Sequence, residues 1–291
     1  MKERQTMRGS GQSKERIAIP WAHFRAPPFP ATALRVLELA GDEGTSTQQL
    51  SELVSSDPVF SSEVLTIANS AIIAHRLSVT SILQAVSMLG THNLSGVCLT
   101  VAVRAYLGKS MAHRSLYSIW RHSLASALIA ERLAIVGLMN KDKAYTGGIM
   151  HDIGRFALAA LRPKEYAELL GNHRGSANSI LEPERDMFGL DHCQVGEQLV
   201  RDWGLPKEFA TLVCPPAVTR RAGEHWEMAD LVHMSCRMAD TAGFAAFSGC
   251  EALPYSDLLD ELPSRERDLF PSDITVLIFD VNNRIQAIES I

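Results

Sequence analysis

A histidine–aspartate pair, His151-Asp152, lies in an apolar stretch near the middle of the 291-residue chain. Imidazole nitrogens and carboxylate oxygens are ligands that divalent metal ions accept. Neighbouring residues of a helix point about 100° apart, so the pair can share one ion only near a helix end or a bend. Gly147, Gly148 and Gly154 flank the pair and make such a bend available. The pair therefore indicates a metal site, with a plain polar helix end as the alternative.

Two more residues could complete such a site. His122 lies on the apolar side of a predicted helix, near Ile119 and Ile129. Asp240 lies on a later predicted helix, and an inward carboxylate there needs a partner because an unpaired buried charge costs free energy. The alternative for His122 is a core histidine bonded to a backbone carbonyl. The alternative for Asp240 is a solvated helix face.

The elements that would position these residues are all predicted to be helices. Apolar residues recur at helical spacing, and capping boxes precede several of these stretches, as at Ser46 with Gln49 and at Asp191 with Gln194. Alternating patterns typical of strands are nearly absent. The predicted fold class is therefore all-α, a two-lobed helical domain.

The chain is expected to have three parts. Residues 1–20 form a polar tail, residues 21–246 form the helical domain with lobes at about 29–107 and 116–244, and residues 247–291 form a linker and a helix. The start of that last part, rich in prolines and charges, is interpreted as a linker or a long loop. The final helix has an apolar stripe, which predicts docking on the domain or on a second copy in a homodimer.

Composition narrows the function classes. Lysine and arginine number 28 against 33 aspartates and glutamates, a formal charge of −5, so a nucleic-acid partner is not expected. No apolar stretch reaches the ~20 residues of a membrane-spanning helix, and the N-terminus has no apolar core of a secretory signal. The five cysteines form no CxxC pair, and their odd number favours free thiols. The expected location is cytoplasmic.

Longer stretches of sequence carry a family resemblance. They read FPATALRVLELAGD, SDPVFSSEVLTIANSA and VTSILQAVSMLG in the first half, then LYSIWRHSLASALIAERLA, GGIMHDIGRFAL and GLDHCQVGEQLVRDWGLP in the second. Over roughly residues 29–244 the chain resembles the HDOD branch of the HD superfamily of metal-dependent phosphohydrolases, which is related to HD-GYP proteins. The resemblance implies an HD-superfamily-like second lobe and a regulatory output domain of bacterial signalling, a branch often without demonstrated phosphohydrolase activity.

The same resemblance implies a ligand set. Its metal ligands would be His122, His151, Asp152 and Asp240, holding one divalent ion of unknown identity. The match of Asp240 rests on the short stretch MADTAG. Arg155 stands where HD-GYP proteins tend to have a lysine that can contact phosphate, so the charge is kept without the compact ammonium group.

Two features of the related families are missing. No GYP signature occurs, and the stretch FATLVCPPAV contains no histidine where HDOD sequences often show a pair. A two-metal site would lack ligands, so two-metal phosphodiesterase chemistry is not expected.

Two other histidines have open interpretations. His192 shares a helical stripe with Val195 and Leu199, so it is expected to point inward, either as a packing residue or as a phosphate contact near the metal pocket. His233 lies one heptad before Asp240 and is either a substitute ligand or a surface or core residue.

Two function hypotheses follow. The first is a non-catalytic signalling module that binds an unidentified partner protein or a small ligand, with any metal structural. The second is a metal-dependent phosphohydrolase acting on a nucleotide or phosphoester. The whole-domain resemblance and the missing motifs favour the first, so no catalytic residue is assigned.

Overall fold

The architecture comes from a computed structural model that describes residues 30–40, 44–72, 79–108, 113–205, 207–213 and 226–289. The polar tail expected at residues 1–20 lies outside them. In the described part all regular structure is helical, and the only β-type pairing is an isolated bridge between Gly175 and Cys250. The prediction of an all-α chain is confirmed. None of the described helices is both long and apolar enough to cross a membrane.

The first lobe contains α1 (Ala31–Ala40), α2 (Thr47–Ser55), α3 (Pro58–Ile72) and α4 (Ile82–Leu107). The predicted capping box begins α2, because Ser46 Oγ accepts from the Gln49 N–H and the Gln49 side chain accepts from the Ser46 N–H. Gly90 interrupts α4 with a φ of +80°, a conformation that glycine adopts without steric cost. Helix α4 therefore consists of two helical segments that meet at Gly90.

The second lobe contains α5 (Arg114–Val136), α6 (Lys141–Met150), α7 (Ile153–Leu161), α8 (Pro163–Asn172), α9 (Leu181–Phe188), α10 (His192–Asp202) and α11 (Met228–Ala239). Glycines let these helices approach closely. A Cβ on Gly148 of α6 would overlap the backbone of Ala127 in α5, and a Cβ on Gly154 of α7 would overlap the His192 carbonyl in α10. The helices around the histidine–aspartate pair are therefore in backbone contact.

One continuous apolar core joins the two lobes. Its largest fully buried side chains include Trp120, Tyr166 and Phe156. Helical spacing predicts core positions for eleven apolar residues of the two lobes. Seven of them are buried, namely Leu37, Ile67, Ile82, Ile129, Leu133, Ile149 and Leu199. Three more, Leu34, Leu65 and Trp203, are partly buried against the same core. The expected core residue Leu89 lies outside the described side chains.

The segment after the second lobe differs from the expected linker or long loop. It folds into α12 (Tyr255–Glu261) and α13 (Ser264–Leu269) before α14 (Ile274–Glu289). Pro254 and Pro263 stand at the N-caps of α12 and α13. A proline's fixed φ and missing N–H suit a helix start, so these prolines begin helices that composition alone suggests they would interrupt.

The C-terminal helix α14 docks on its own chain, against α3 and α5. Leu277, Val281 and Ile285 are buried along one stripe. Arg132 of α5 donates to Asp280 of α14 at 3.0 Å. Of the two arrangements expected for this stripe, the structure shows docking on the domain.

Replacing Leu277 with alanine tests this docking. Because Leu277 is fully buried, Leu277→Ala should lower the free energy of unfolding by ~2–5 kcal/mol, as measured by urea denaturation. Phe279→Ala is the matched control, since Phe279 lies on the same helix with 70% exposure and should change stability by about 0.5 kcal/mol or less. Equal small effects from both variants would show that α14 does not pack in solution.

Candidate metal centre

The histidine–aspartate pair lies at the junction of two helices. His151 is the C-cap of α6, and Asp152 is the N-cap of α7. The helix axis changes between them, which is the bend that two adjacent residues need to present ligands to one point. Both side chains are almost completely buried.

Three ligand atoms converge at this junction. Nε2 of His122 in α5 lies 3.3 Å from Nε2 of His151 and 3.4 Å from Sγ of Cys236 in α11. All three atoms lie within 4.8 Å of one another. Helices α5, α6 and α11 therefore bring two imidazoles and one thiol to a single point.

Backbone carbonyls fix the orientation of both rings. Nδ1 of His122 lies 2.9 Å from the Phe244 carbonyl oxygen, and Nδ1 of His151 lies 2.8 Å from the Gly148 carbonyl oxygen. A carbonyl only accepts, so each Nδ1 carries a hydrogen, and each neutral ring has its lone pair on Nε2. The backbone-carbonyl bond expected as the alternative for His122 is thus present, and it also prepares the ring as a ligand.

The two Nε2 lone pairs point at each other across 3.3 Å, which is unfavourable unless a cation lies between them or a proton is shared. A histidine whose other nitrogen donates to a carbonyl is the usual arrangement at metal sites. Burial lowers the pKa of His122 to about 4, so this ring is neutral near pH 7 and keeps its lone pair. The described residues therefore fit a bound divalent ion.

Asp152 lies at the edge of this cluster. Its Oδ2 is 3.7 Å from His151 Nε2, 3.9 Å from His122 Nε2 and 3.0 Å from Arg155 Nε. Burial raises the pKa of Asp152, but the adjacent charge of Arg155, together with the nearby histidine rings, outweighs burial and holds this pKa well below its usual range. The carboxylate is therefore anionic, and it already has a buried guanidinium partner.

Asp240 comes to the cluster on its other side. It begins a π-helical turn (Asp240–Phe244) that follows α11, and its Oδ1 lies 3.4 Å from His122 Nδ1. Burial and then the charge of Asp152 raise the pKa of Asp240 to about 7. The structure thus gathers all four predicted residues. Asp240 faces the nitrogen that carries the hydrogen, whereas Cys236 faces the nitrogen with the lone pair.

A second buried cluster adjoins the first and is centred on Glu184 of α9. Its Oε2 lies 2.6 Å from His192 Nδ1, and its Oε1 accepts from the Tyr166 hydroxyl at 2.7 Å. Burial raises the pKa of Glu184, but the interaction with His192 and the charge of Arg155 outweigh it and bring the value to about 2. Nε2 of His192 lies 3.8 Å from Asp152 Oδ1, so this inward histidine links the two clusters.

Sequence reasoning missed Glu184. A signal was present, because Ile180, Glu184 and Phe188 lie four residues apart and all three are buried, which places a carboxylate on an apolar stripe. The stripe is hard to recognise because charged residues, Glu182, Arg185 and Asp186, neighbour Glu184 in the sequence.

The cysteines and His233 also differ in part from expectation. Cys236 supplies the third converging atom, although its position between His233 and Asp240 in the sequence does not predict a ligand. His233, the possible substitute ligand, is half-buried and lies outside this group of three. Cys98, Cys236 and Cys250 have free thiols. Cys193 is disulfide-bonded, so the expectation of free thiols is wrong for this residue, and the count and spacing of cysteines could not show it.

The family assignment follows from a comparison with known sequences. The family model of the HDOD domain matches residues 26–214, which is more than half of the chain. The chain belongs to the HDOD family. No curated protein matches this HDOD protein.

Solved structures with the same fold come from several bacteria. A candidate phosphohydrolase from Shewanella amazonensis is 20% identical with a TM-score of 0.65, covering 91% of this chain and 94% of that one. A candidate signal transduction protein from Marinobacter aquaeolei is 24% identical with a TM-score of 0.69, covering 91% and 59%. An HDOD domain protein of unknown function from Geobacter sulfurreducens is 22% identical with a TM-score of 0.64, covering 92% of each. At these identities the HDOD protein shares their fold.

Glu184 gives a prediction for the pH dependence of stability. Its pKa is lower in the folded chain than its ordinary value of 4.5, so the unfolded chain binds more protons as the pH falls below that value. The contribution of Glu184 to stability is therefore complete above about pH 5 and is lost progressively as the pH falls toward 2. Glu184→Gln should cost about 3–5 kcal/mol at pH 7, because it removes a counter-charge of the buried Arg155 guanidinium.

Urea denaturation between pH 7 and pH 3 measures this effect. The difference in unfolding free energy between wild type and Glu184→Gln should shrink as the pH falls. The exposed Glu182 on the same helix supplies the control, and Glu182→Gln should leave the pH profile unchanged. A constant difference between wild type and Glu184→Gln at every pH would contradict the assignment.

Proposed function

We propose that this HDOD protein is a non-catalytic output module of bacterial signal transduction that acts in the cytoplasm by binding a partner protein or a small ligand. The observation that supports this most is the closure of the cluster. His122, His151, Asp152 and Arg155 are each between 2 and 4% exposed. A phosphoester would need the second lobe to open before it reached these residues.

The pairing of Arg155 with Asp152 supports the same proposal. Arg155 is 3% exposed, and its guanidinium nitrogens lie 3.0 Å from Asp152 Oδ2 and 3.7 Å from Glu184 Oε1. It is therefore held between two buried carboxylates, and Asp152 is engaged in an internal ion pair. A lysine or arginine that is to receive a phosphate needs at least part of its charge directed toward solvent or substrate.

In this proposal a single divalent ion has a structural role. His122, His151 and Asp152, with Asp240 beside His122, would hold it between α5, the α6–α7 junction and α11. A bound ion supplies the positive charge that the converging lone pairs need, and it links α11 to helices α5 to α7, which come much earlier in the sequence. Binding to the folded state alone stabilises that state by mass action.

Phosphohydrolase activity is the second candidate. It is favoured by the convergence of the four family residues and by the pair of Glu184 and His192, whose Nε2 lies 3.8 Å from Asp152. The neighbour from Shewanella amazonensis is itself described as a candidate phosphohydrolase. An ion at this site would polarise a phosphoryl oxygen and activate water. This function requires an opening of the lobe that the closed cluster does not provide.

A hydrolysis assay separates the two candidates. The full chain, loaded in turn with Zn²⁺, Mn²⁺ or Fe²⁺, is incubated with a cyclic dinucleotide and with a generic phosphodiester. We expect no product above the background given by His151→Ala, because the cluster is closed and Asp152 is paired. Turnover that depends on metal and disappears in His151→Ala would overturn the non-catalytic proposal.

Removal of metal should lower thermal stability. After loading and gel filtration, elemental analysis should find about one divalent ion per chain, since the cluster offers one set of converging ligands. Chelation should then lower the melting temperature, and Asp152→Ala should reduce both the ion content and this shift. His113→Ala is the control, because His113 is the N-cap residue of α5, is not one of the converging ligand residues, and its replacement should leave the ion bound. If the protein holds no ion and chelator leaves its melting temperature unchanged, the structural metal is refuted and the cluster is an internal polar network.

A further inference from the structure

We propose that Cys236 is a thiolate ligand of this metal centre, and that with His122 and His151 it selects Zn²⁺ over Mg²⁺ or Mn²⁺. The proposal deepens the proposed function, since it rests on the same structural ion. It replaces an all-oxygen-and-nitrogen ligand set by one that contains sulfur.

The separations of the ligand atoms fit a tetrahedral zinc ion. With Zn–N of about 2.0–2.1 Å and Zn–S of about 2.3 Å, tetrahedral angles place two nitrogens about 3.3–3.4 Å apart and a nitrogen and a sulfur about 3.5–3.6 Å apart. The structure gives 3.3 Å between the two Nε2 atoms and 3.4 Å between His122 Nε2 and Cys236 Sγ. An ion can therefore be accommodated with small side-chain adjustments.

The two carboxylates near the cluster are poorly placed for a hard ion, because one faces away from the ligand atoms and the other is already paired with an arginine. Mg²⁺ and Mn²⁺ favour sites built mainly from carboxylate, carbonyl and water oxygens. Asp240 faces Nδ1 of His122, on the side of the ring that holds the hydrogen. Asp152 is the carboxylate on the ligand side, and Arg155 already pairs with it. Two imidazoles and a thiol are instead the donor set that zinc prefers.

The charges also balance around a divalent ion. The Cys236 thiolate and the Asp152 carboxylate together carry the two negative charges that Zn²⁺ requires. The positive charge of Arg155 is compensated in turn by Glu184, whose Oε1 lies 3.7 Å away. Binding replaces the S–H bond of Cys236 by a Zn–S bond and releases the proton to solvent.

A simple hydrogen bond explains less of the geometry. A Cys236 S–H could donate to Nε2 of His122 across 3.4 Å. That bond would occupy the lone pair of His122, but His151 Nε2 would still face it at 3.3 Å without a donor. One ion between the three atoms satisfies all of them together, which is why we favour coordination over the hydrogen bond.

Cobalt substitution tests the sulfur ligand directly. The full chain is freed of metal and titrated with Co²⁺, and a thiolate ligand gives a sulfur-to-cobalt charge-transfer band in the near ultraviolet. We expect the band in wild type and its loss in Cys236→Ser. Cys98→Ala, which removes another buried cysteine on α4, should keep the band. Competition with a chromophoric chelator should show at least a tenfold weaker Zn²⁺ affinity in Cys236→Ser, the lower end of the loss typical of outer partners of metal ligands.

X-ray absorption of zinc-loaded wild type gives a second measurement that needs no variant to fold. We expect one sulfur at about 2.3 Å from the ion. A cobalt complex without the band, a band that persists in Cys236→Ser, or a zinc shell of nitrogen and oxygen alone would overturn the proposal. The hydrolysis assay and the spectroscopy test different claims. Turnover would refute the non-catalytic function, whereas only the spectroscopy decides whether Cys236 is a ligand.

Discussion

The second lobe depends on how closely α6 can approach α5. Gly148 has no side chain, so its backbone reaches the backbone of Ala127, and the same residue's carbonyl holds Nδ1 of His151. This contact brings His151 opposite His122, and the helix break at Asp152 then directs α7 toward α10. A larger residue at position 148 would separate the helices and with them the two imidazoles.

Buried charges extend this arrangement outward. Asp152 pairs with Arg155, Arg155 approaches Glu184, and Glu184 holds both His192 and Tyr166. Each member has a partner of opposite charge or a hydrogen-bond partner, so that the cost of burying charge is offset within the network. The network joins α7, α8, α9 and α10, and it explains why a polar cluster can lie inside an apolar lobe.

The sequence predicted the parts of this structure that depend on local patterns. Helical spacing and the capping boxes at Ser46 and Asp191 gave the all-α class, and the family resemblance gave the histidine and aspartate residues that the structure gathers. Cys236 faces Nε2 of His122 and Asp240 faces Nδ1 of the same ring because of the way α11 is rotated against α5. Such a rotation is set by tertiary packing and leaves no clear local pattern. Likewise, a proline interrupts a helix in its interior but suits a helix start, and residue type alone does not show which applies to Pro254 and Pro263.

Helix α5 makes functional contacts on two of its faces. One face carries His122 into the cluster, and the other face receives α14, where Arg132 pairs with Asp280 and Arg121 donates to Asn282. The same Arg121 lies over the ring of Phe244, whose carbonyl orients His122. Loosening α14 would therefore disturb the side of α5 that contacts Phe244 and, through the Phe244 carbonyl, the orientation of the His122 ring.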